Sequence, residues 1–177
     1  MPTKEKPTGD LVCRKYTPIS AVHNNGFVDF VIKIYRKNVH PKFPDGGLMT
    51  QYLESLKNGD VMLMEGPKGR LVYEGSGKFI ISKKVLANKK TKIGMVSGGT
   101  GITPCYQVLQ SALNGEDGTQ LSLVYGSRTV EDIILKDELI QFQQNYPKRF
   151  NLFLTVDIKP EDPSWKGGVG FVTKDML

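Results

Sequence analysis

Hydrophobic and polar positions change their rhythm near the middle of the chain. In the first half, Leu11 to Thr17 reads as extended. Phe27 to Tyr35 (FVDFVIKIY) holds only two charges among Val, Ile, Phe and Tyr, a composition that predicts a largely buried strand. Gly46-Gly47 then opens a helical pattern, LMTQYLESL, in which Met49, Leu53 and Leu56 share one face, and Gly59-Asp60 closes it. Val61 to Glu65, Leu71 to Glu74 and Lys78 to Ile81 read as three more short strands, with Gly and Pro marking the turns. Several short strands with one helix predict a small antiparallel barrel.

From residue 93 onward the pattern alternates. Ile93 to Ser97 is a short apolar strand, followed by a glycine loop and a helix from Pro104 to about Leu113. Leu121 to Tyr125 is a second strand. Ile133 to Tyr146 is mostly helical, with Leu135, Leu139 and Phe142 on one face, and Phe150 to Val156 is a third strand. The order β-α-β-α-β predicts a parallel sheet with right-handed crossovers, covered on both faces. Between the two patterns, Ser82 to Lys92 is polar and holds five lysines. The composition shift there predicts two domains, 1–85 and 86–177. Thr173 to Leu177 reads as the start of a further crossover helix, so the parallel sheet is expected to continue beyond the chain.

Composition narrows the function classes. A chain of 177 residues, 39% hydrophobic and 24% charged, resembles an ordinary globular protein. No run of eighteen apolar residues predicts a membrane-spanning helix, and the polar stretch Met1 to Asp10 has no signal-peptide pattern. Cys13 and Cys105 lie far apart and fit no metal-ligand spacing, and His23 and His40 build no metal site between them. No metal is therefore expected. A reducing, cytoplasmic compartment follows from the cysteines; membrane contact, if any, is expected only through segments absent from this chain. The net charge of +6 fits an acidic partner or plain solubility. No basic stretch interleaved with aromatics points to nucleic acid.

Three segments carry candidate chemistry. GGTGITP, Gly98 to Pro104, follows a strand and opens a helix. Its glycines allow close approach, and free N–H groups at the helix start attract an anion, with Thr103 as the expected N-cap. A tight turn without a ligand fits the same letters. It is not the G-x-G-x-x-G of dinucleotide folds. GSGKF, Gly75 to Phe79, is a strand turn rather than a phosphate loop. RKYTPIS, Arg14 to Ser20, offers a guanidinium for phosphate oxygens and the ring and hydroxyls of Tyr16 and Thr17; alone, it equally fits an edge strand. HPKFPDGGLMT, His40 to Thr50, ends at a helix start where Gly46, Gly47 and Leu48 present backbone donors. Arg14 and this helix end are suited to grip one pyrophosphate from two sides.

With these segments in this order, the chain resembles the NADH–cytochrome b5 reductase family, including the flavin domain of eukaryotic nitrate reductase. The resemblance runs from about Gly9 to Leu177 and rests on R-x-Y-T at Arg14 to Thr17, HPKFPDGGLMTQYLESL, GPKGRLVYEGSGKF, and GGTGITP followed by CYQVLQ. It implies a ferredoxin-reductase-like fold: an FAD-binding antiparallel barrel followed by an NADH-binding α/β domain. The implied function is an FAD-dependent oxidoreductase. It takes a hydride from NADH onto flavin and passes single electrons to a haem acceptor, such as cytochrome b5 or a fused haem domain. The alternative is a non-catalytic flavin- or nucleotide-binding remnant, or a partial gene product of such a reductase.

The resemblance also assigns residues. Arg14, Tyr16 and Thr17 would hold the phosphates, ribityl chain and isoalloxazine of FAD. Val31, Lys33 and Tyr35 would line the flavin and approach NADH. His40 and Phe43 would flank the adenosine part. Gly47, Leu48, Met49 and Thr50 would contact the pyrophosphate. Gly99, Thr100 and Thr103 would sit near flavin and nicotinamide. Thr17, Lys33 and Thr100 are implied nearest the chemistry. Asp157 would accept from the adenosine ribose, which favours NADH over NADPH because a 2′-phosphate is repelled. Phe171 would lie near the adenine. Hydride transfer between two stacked rings needs positioning and demands no side-chain acid, base or nucleophile. Two departures stand out. YGSRT, Tyr125 to Thr129, replaces the family's usual alanine–asparagine pair. The opening barrel strands and the closing cysteine–glycine–proline segment are absent, so truncation at both ends is expected.

Overall fold

The computed structural model describes residues 3–5, 11–86, 88–115 and 118–177. The chain divides into two compact units, residues 1–18 with 29–68 and residues 19–28 with 69–177. The first unit holds β1 (Thr3–Glu5) and β2 (Leu11–Cys13), an antiparallel pair with Lys4 opposite Val12, and α1 (Leu48–Ser55). Val12 and Met49 are its buried apolar anchors. The buried strand expected over Phe27 to Tyr35 does not form: the segment has no ladder partner among the described residues, Phe27, Val28 and Tyr35 are exposed, and residues 30–34 are half-buried. Val61 to Glu65 likewise makes no ladder, and Val61 is exposed. β-branched composition favours an extended chain, but only a neighbouring strand satisfies its backbone and makes a sheet.

The second unit begins with an antiparallel sheet of β3 (Leu71–Gly75), β4 (Lys78–Ile81) and β5 (Lys84–Val85). Ser76 and Gly77 turn between β3 and β4 with φ of 49° and 70°, the two positive angles that match the twist of a tight hairpin. GSGKF is thus a strand turn, as its letters indicate. Tyr73 and Phe79 face each other across the pair with ring centroids 4.9 Å apart. A parallel sheet follows, built from β6 (Lys92–Gly98), β7 (Gln120–Ser127), β8 (Phe150–Val156) and the two-residue β9 (Gly168–Val169), in sequential order. Helices α2 (Ile102–Asn114) and α3 (Lys136–Asn145) make the crossovers.

The core lies between these helices and the sheet. Leu109 and Leu113 of α2, Leu121, Leu123 and Tyr125 of β7, Leu139 of α3 and Phe150 and Val156 of β8 are all buried in one cluster. Tyr106 and Phe142 bring α2 and α3 together with ring centroids 5.5 Å apart. Sequential strand order with right-handed crossovers puts both helices on one side. The opposite face shows the difference: Val96 and Phe153 stay exposed there, so the expectation of two covered faces is not met by the described residues. Leu135 also departs from its expected place. It sits before α3 in a left-handed conformation, φ 58°, and only Leu139 and Phe142 occupy the helical face.

Arg149 ties α2 to β8. Its guanidinium donates to the carbonyls of Ala112 at 2.7 Å, Gly115 at 3.2 Å and Thr119 at 3.3 Å, a cation set against the negative end of a helix dipole. Compactness divides the chain differently from composition: residues 19–28 and 69–85 go with the parallel sheet, where Ile19 and Tyr73 pack against its core.

Candidate functional site

The first unit builds its site around the start of α1. Gly46 adopts φ 68°, and a Cβ there would lie 2.5 Å from the carbonyl oxygen of Tyr35. A Cβ on Gly47 would meet Thr50 Oγ1 at 2.5 Å and Tyr35 Cβ at 3.1 Å. The glycines therefore let the Tyr35 segment press against the helix start. Three hydrogen bonds fix the contact: Gly47 N donates to Tyr35 O (2.8 Å), Tyr35 N to Thr50 Oγ1 (3.1 Å), and Thr50 Oγ1 to Gly47 O (3.1 Å). Helix geometry leaves the first-turn N–H groups of Leu48, Met49 and Thr50 without intrahelical acceptors. No side chain caps them and no acidic residue stands in the first turn. The end of α1 is thus electropositive and carries no anion of its own.

Tyr35 adjoins this helix start, and Tyr16 lies near both Tyr35 and Arg14. Burial pushes the Tyr16 phenol above its ordinary pKa; the nearby Arg14 guanidinium pulls it down and the Tyr35 phenol pushes it up. Arg14 is exposed and donates to the carbonyl of Cys13 at 2.8 Å. The His40–Phe43 loop is a compact turn. Phe43 N donates to His40 O, Gly46 N to Phe43 O, and the two rings lie 5.2 Å apart, both exposed. Thr17, Val31 and Lys33 are half-buried. Every residue expected to hold FAD falls in this unit. The donor set fits the group: an uncapped helix start, a guanidinium, and exposed rings suited to a flat aromatic ligand.

The second unit gathers the remaining expected residues at the carboxyl edge of its parallel sheet, the edge where open α/β sheets take ligands. Gly98 to Gly101 make a tight turn with Gly99 at φ 50°, and a Cβ on Gly98 or Gly99 would touch nothing within 4 Å. The space in front of this loop is open. Thr103 is not the N-cap: Gly101 holds that place, and Thr103 lies inside the first turn, its hydroxyl donating to Thr100 O at 3.4 Å. Glycine won the position because the chain enters α2 through a 3-10 turn, two residues earlier than its proline implies. As at α1, no side chain caps α2 and no acid stands in its first turn.

Two neighbouring strand ends complete this edge. Asp157 N donates to Ser127 O and Ile158 N to Arg128 O, both at 3.0 Å, which extends the β7–β8 pairing and sets Asp157 beside Arg128. Gly170 N donates to Val156 O, and Thr155 Oγ1 to Gly170 O at 2.8 Å. These bonds hold the following Phe171 at the same edge, 79% exposed. Asp157 is exposed as well.

Sequence reasoning passed over Ser97 and Tyr125 beneath the glycine loop; of this group it named only Ser127, with Arg128, as able to reach the NADH phosphates. Tyr125 is fully buried, and its hydroxyl donates to Gly99 O at 3.0 Å while accepting from Ile134 N at 3.2 Å. Ser97 and Ser127 bury hydroxyls that make no well-formed hydrogen bond within the described residues. Ser127 nonetheless lies close enough to the Tyr125 hydroxyl, and Ser97 to the Cys105 thiol, to lower both pKa values against the upward push of burial. The available signal was polar letters, Ser97, Tyr125 and Ser127, in otherwise apolar strand ends.

The oxidoreductase FAD-binding domain model matches residues 2–73, and the oxidoreductase NAD-binding domain model matches residues 95–177. Human NADH-cytochrome b5 reductase 1 is 48% identical over 178 residues, covering 96% of this chain and 56% of that protein. Nitrate reductase (NADH) 1 of Oryza sativa subsp. japonica is 48% identical over 172 residues, covering 96% of this chain and 19% of that protein. The crystal structure of the cytochrome b5 reductase domain of Ulva prolifera nitrate reductase superposes with a TM-score of 0.90 at 39% identity, over 99% of this chain and 65% of that one. The chain therefore spans little more than half the length of the cytochrome b5 reductase it matches. The antiparallel and parallel halves, the matched domain models and the level of identity agree: the chain belongs to the NADH–cytochrome b5 reductase family.

Proposed function

We propose that the chain is the electron-transfer part of an NADH-dependent flavoprotein reductase, with FAD held by the first unit and NADH by the second. The acceptor we propose is a haem protein, cytochrome b5 or a linked b5-type domain. The relatives' names support this reading. A cytoplasmic setting fits the two free thiols, Cys13 and Cys105. The observation that carries the FAD assignment is the start of α1, where two glycines admit no side chain and the first-turn N–H groups meet no cap and no acid.

When bound, FAD supplies an acceptor for two electrons that can release them one at a time. The protein's own part is binding and orientation. Arg14 and the N–H groups of Leu48 and Met49 neutralise a pyrophosphate from two directions. Thr50 spends its hydroxyl on Tyr35 and Gly47, so it shapes this cradle from behind. Tyr16, Tyr35, His40 and Phe43 offer faces to flat rings; Thr17, Val31 and Lys33 line the same unit. In the second unit Gly99, Thr100 and Thr103 border the open loop. Asp157 accepts from a ribose 2′-hydroxyl and repels a 2′-phosphate, and Phe171 offers its ring to an adenine.

The test is a titration of the purified chain with FAD, followed by quenching of flavin fluorescence. Saturation at one FAD per chain is expected. Arg14→Ala should weaken FAD about tenfold, the effect of one charge-assisted contact, and leave NADH affinity nearly unchanged. A folded parent chain that takes up no FAD would falsify the proposal.

A further inference from the structure

Tyr125 stands where an apolar ring would fill the same space. It is fully buried in the cluster formed by α2, β7, α3 and β8. Only its hydroxyl distinguishes it from phenylalanine, and that hydroxyl makes two bonds that leave the core. One goes to Gly99 O (3.0 Å) in the loop between β6 and α2. The other comes from Ile134 N (3.2 Å) in the segment leading to α3. Gly99 is the loop residue with a left-handed backbone, φ 50°, and glycine is the least constrained residue there. A carbonyl tied from below is what keeps such a loop in one conformation. The phenol stays neutral because burial holds its pKa up, so the donor persists across the physiological range.

We propose that Tyr125 is a positioning residue for the nicotinamide nucleotide: through Gly99 O it sets the glycine loop so that the open side of Gly98 and Gly99 meets the ligand in one shape. The inference rests on the reading that the second unit binds NADH. It goes beyond it by assigning the loop's conformation to one hydroxyl on β7 and by coupling the loop to Ile134. The adenosine end, at Asp157 and Phe171, hangs on Val156, Thr155, Ser127 and Gly170 and uses neither of the Tyr125 bonds.

The experiment compares the full chain with Tyr125→Phe, both with FAD added, and measures dissociation constants for NADH and for 5′-AMP. Loss of one preorganising hydrogen bond should weaken NADH about fivefold to tenfold, while 5′-AMP binding stays unchanged. A loss shared equally by both ligands would assign Tyr125 a general structural role and overturn the proposal, as would equal NADH affinity in the two proteins. A parent chain that binds neither ligand overturns the NADH reading itself, and this inference with it. Amide exchange in the parent chain tests the same claim without the variant. NADH should slow exchange at residues 98–101 and at Ile134 together, because both hang on one hydroxyl. Protection of the loop without Ile134 would contradict the coupling.

Discussion

At the scale of single residues, two glycines with opposite surroundings separate folding from binding. Gly47 is crowded, with Thr50 Oγ1 only 2.5 Å from where a Cβ would stand. Gly47→Ala should cost about 1–3 kcal/mol of stability through overpacking and weaken FAD with it, measured by thermal unfolding and flavin fluorescence. Gly98 has ordinary extended angles, φ −131° and ψ 128°, and open space around it. Gly98→Ala should shift stability by less than about 0.5 kcal/mol yet weaken NADH, because the methyl takes the ligand's place. Equal effects on stability at the two sites would contradict the distinction. Asp157 is the residue proposed to carry the choice of nucleotide. Asp157→Ser should narrow the preference for NADH over NADPH, and the neighbouring Arg128 should then favour the 2′-phosphate. An unchanged affinity ratio would remove that role. Much of the site was legible at this scale, because Arg14, His40 to Thr50 and Gly98 to Pro104 announce backbone donors and close approach by their letters. Tyr125 was not, since a tyrosine in an apolar strand reads as core until its hydroxyl is seen to leave it.

At the scale of elements, periodicity served helices and the parallel sheet well. α2, β6, β7 and β8 stand close to where their patterns put them, because each has a partner within the chain and turns the face its pattern marks toward the core; α1 forms where expected, but of its marked face only Met49 is buried and Leu56 lies past the helix end. The run Phe27 to Tyr35 failed for the converse reason: no neighbouring strand among the described residues accepts its backbone groups. β9 was missed because two residues, Gly168 and Val169, carry no readable period. Arg149 shows what periodicity cannot show, a distant cation closing a helix. Arg149→Met keeps most of the packing and removes the donors to Ala112, Gly115 and Thr119. A loss of about 2 kcal/mol is expected for hydrogen bonds from a charged group, or roughly 4–8 °C in Tm for a domain of this size. A Tm within a degree of the parent would contradict the capping role.

At the scale of the whole molecule, the chain is two compact units: the residues expected to hold FAD lie in one, and Asp157, Phe171 and the glycine loop, expected near both flavin and nicotinamide, lie in the other. Each unit holds phenols that packing shields from water, half-buried Tyr16 in the first and buried Tyr106 and Tyr125 in the second. Burial raises the pKa of Tyr16 in the first and of Tyr106 and Tyr125 in the second above the ordinary 10.0. The unfolded chain therefore loses these protons first. Stability is fully present below pH 10 and falls as pH rises through the folded values. Denaturant midpoints measured on either side of pH 10 should show the fall, and Tyr125→Phe should blunt it; a flat profile would contradict the burial of these groups. The proposed transfer of electrons from NADH to bound flavin is tested most directly by the visible spectrum of the FAD-loaded chain under anaerobic NADH. Bleaching of the flavin bands is the predicted result. Flavin that stays oxidised in a folded protein with NADH bound would contradict it.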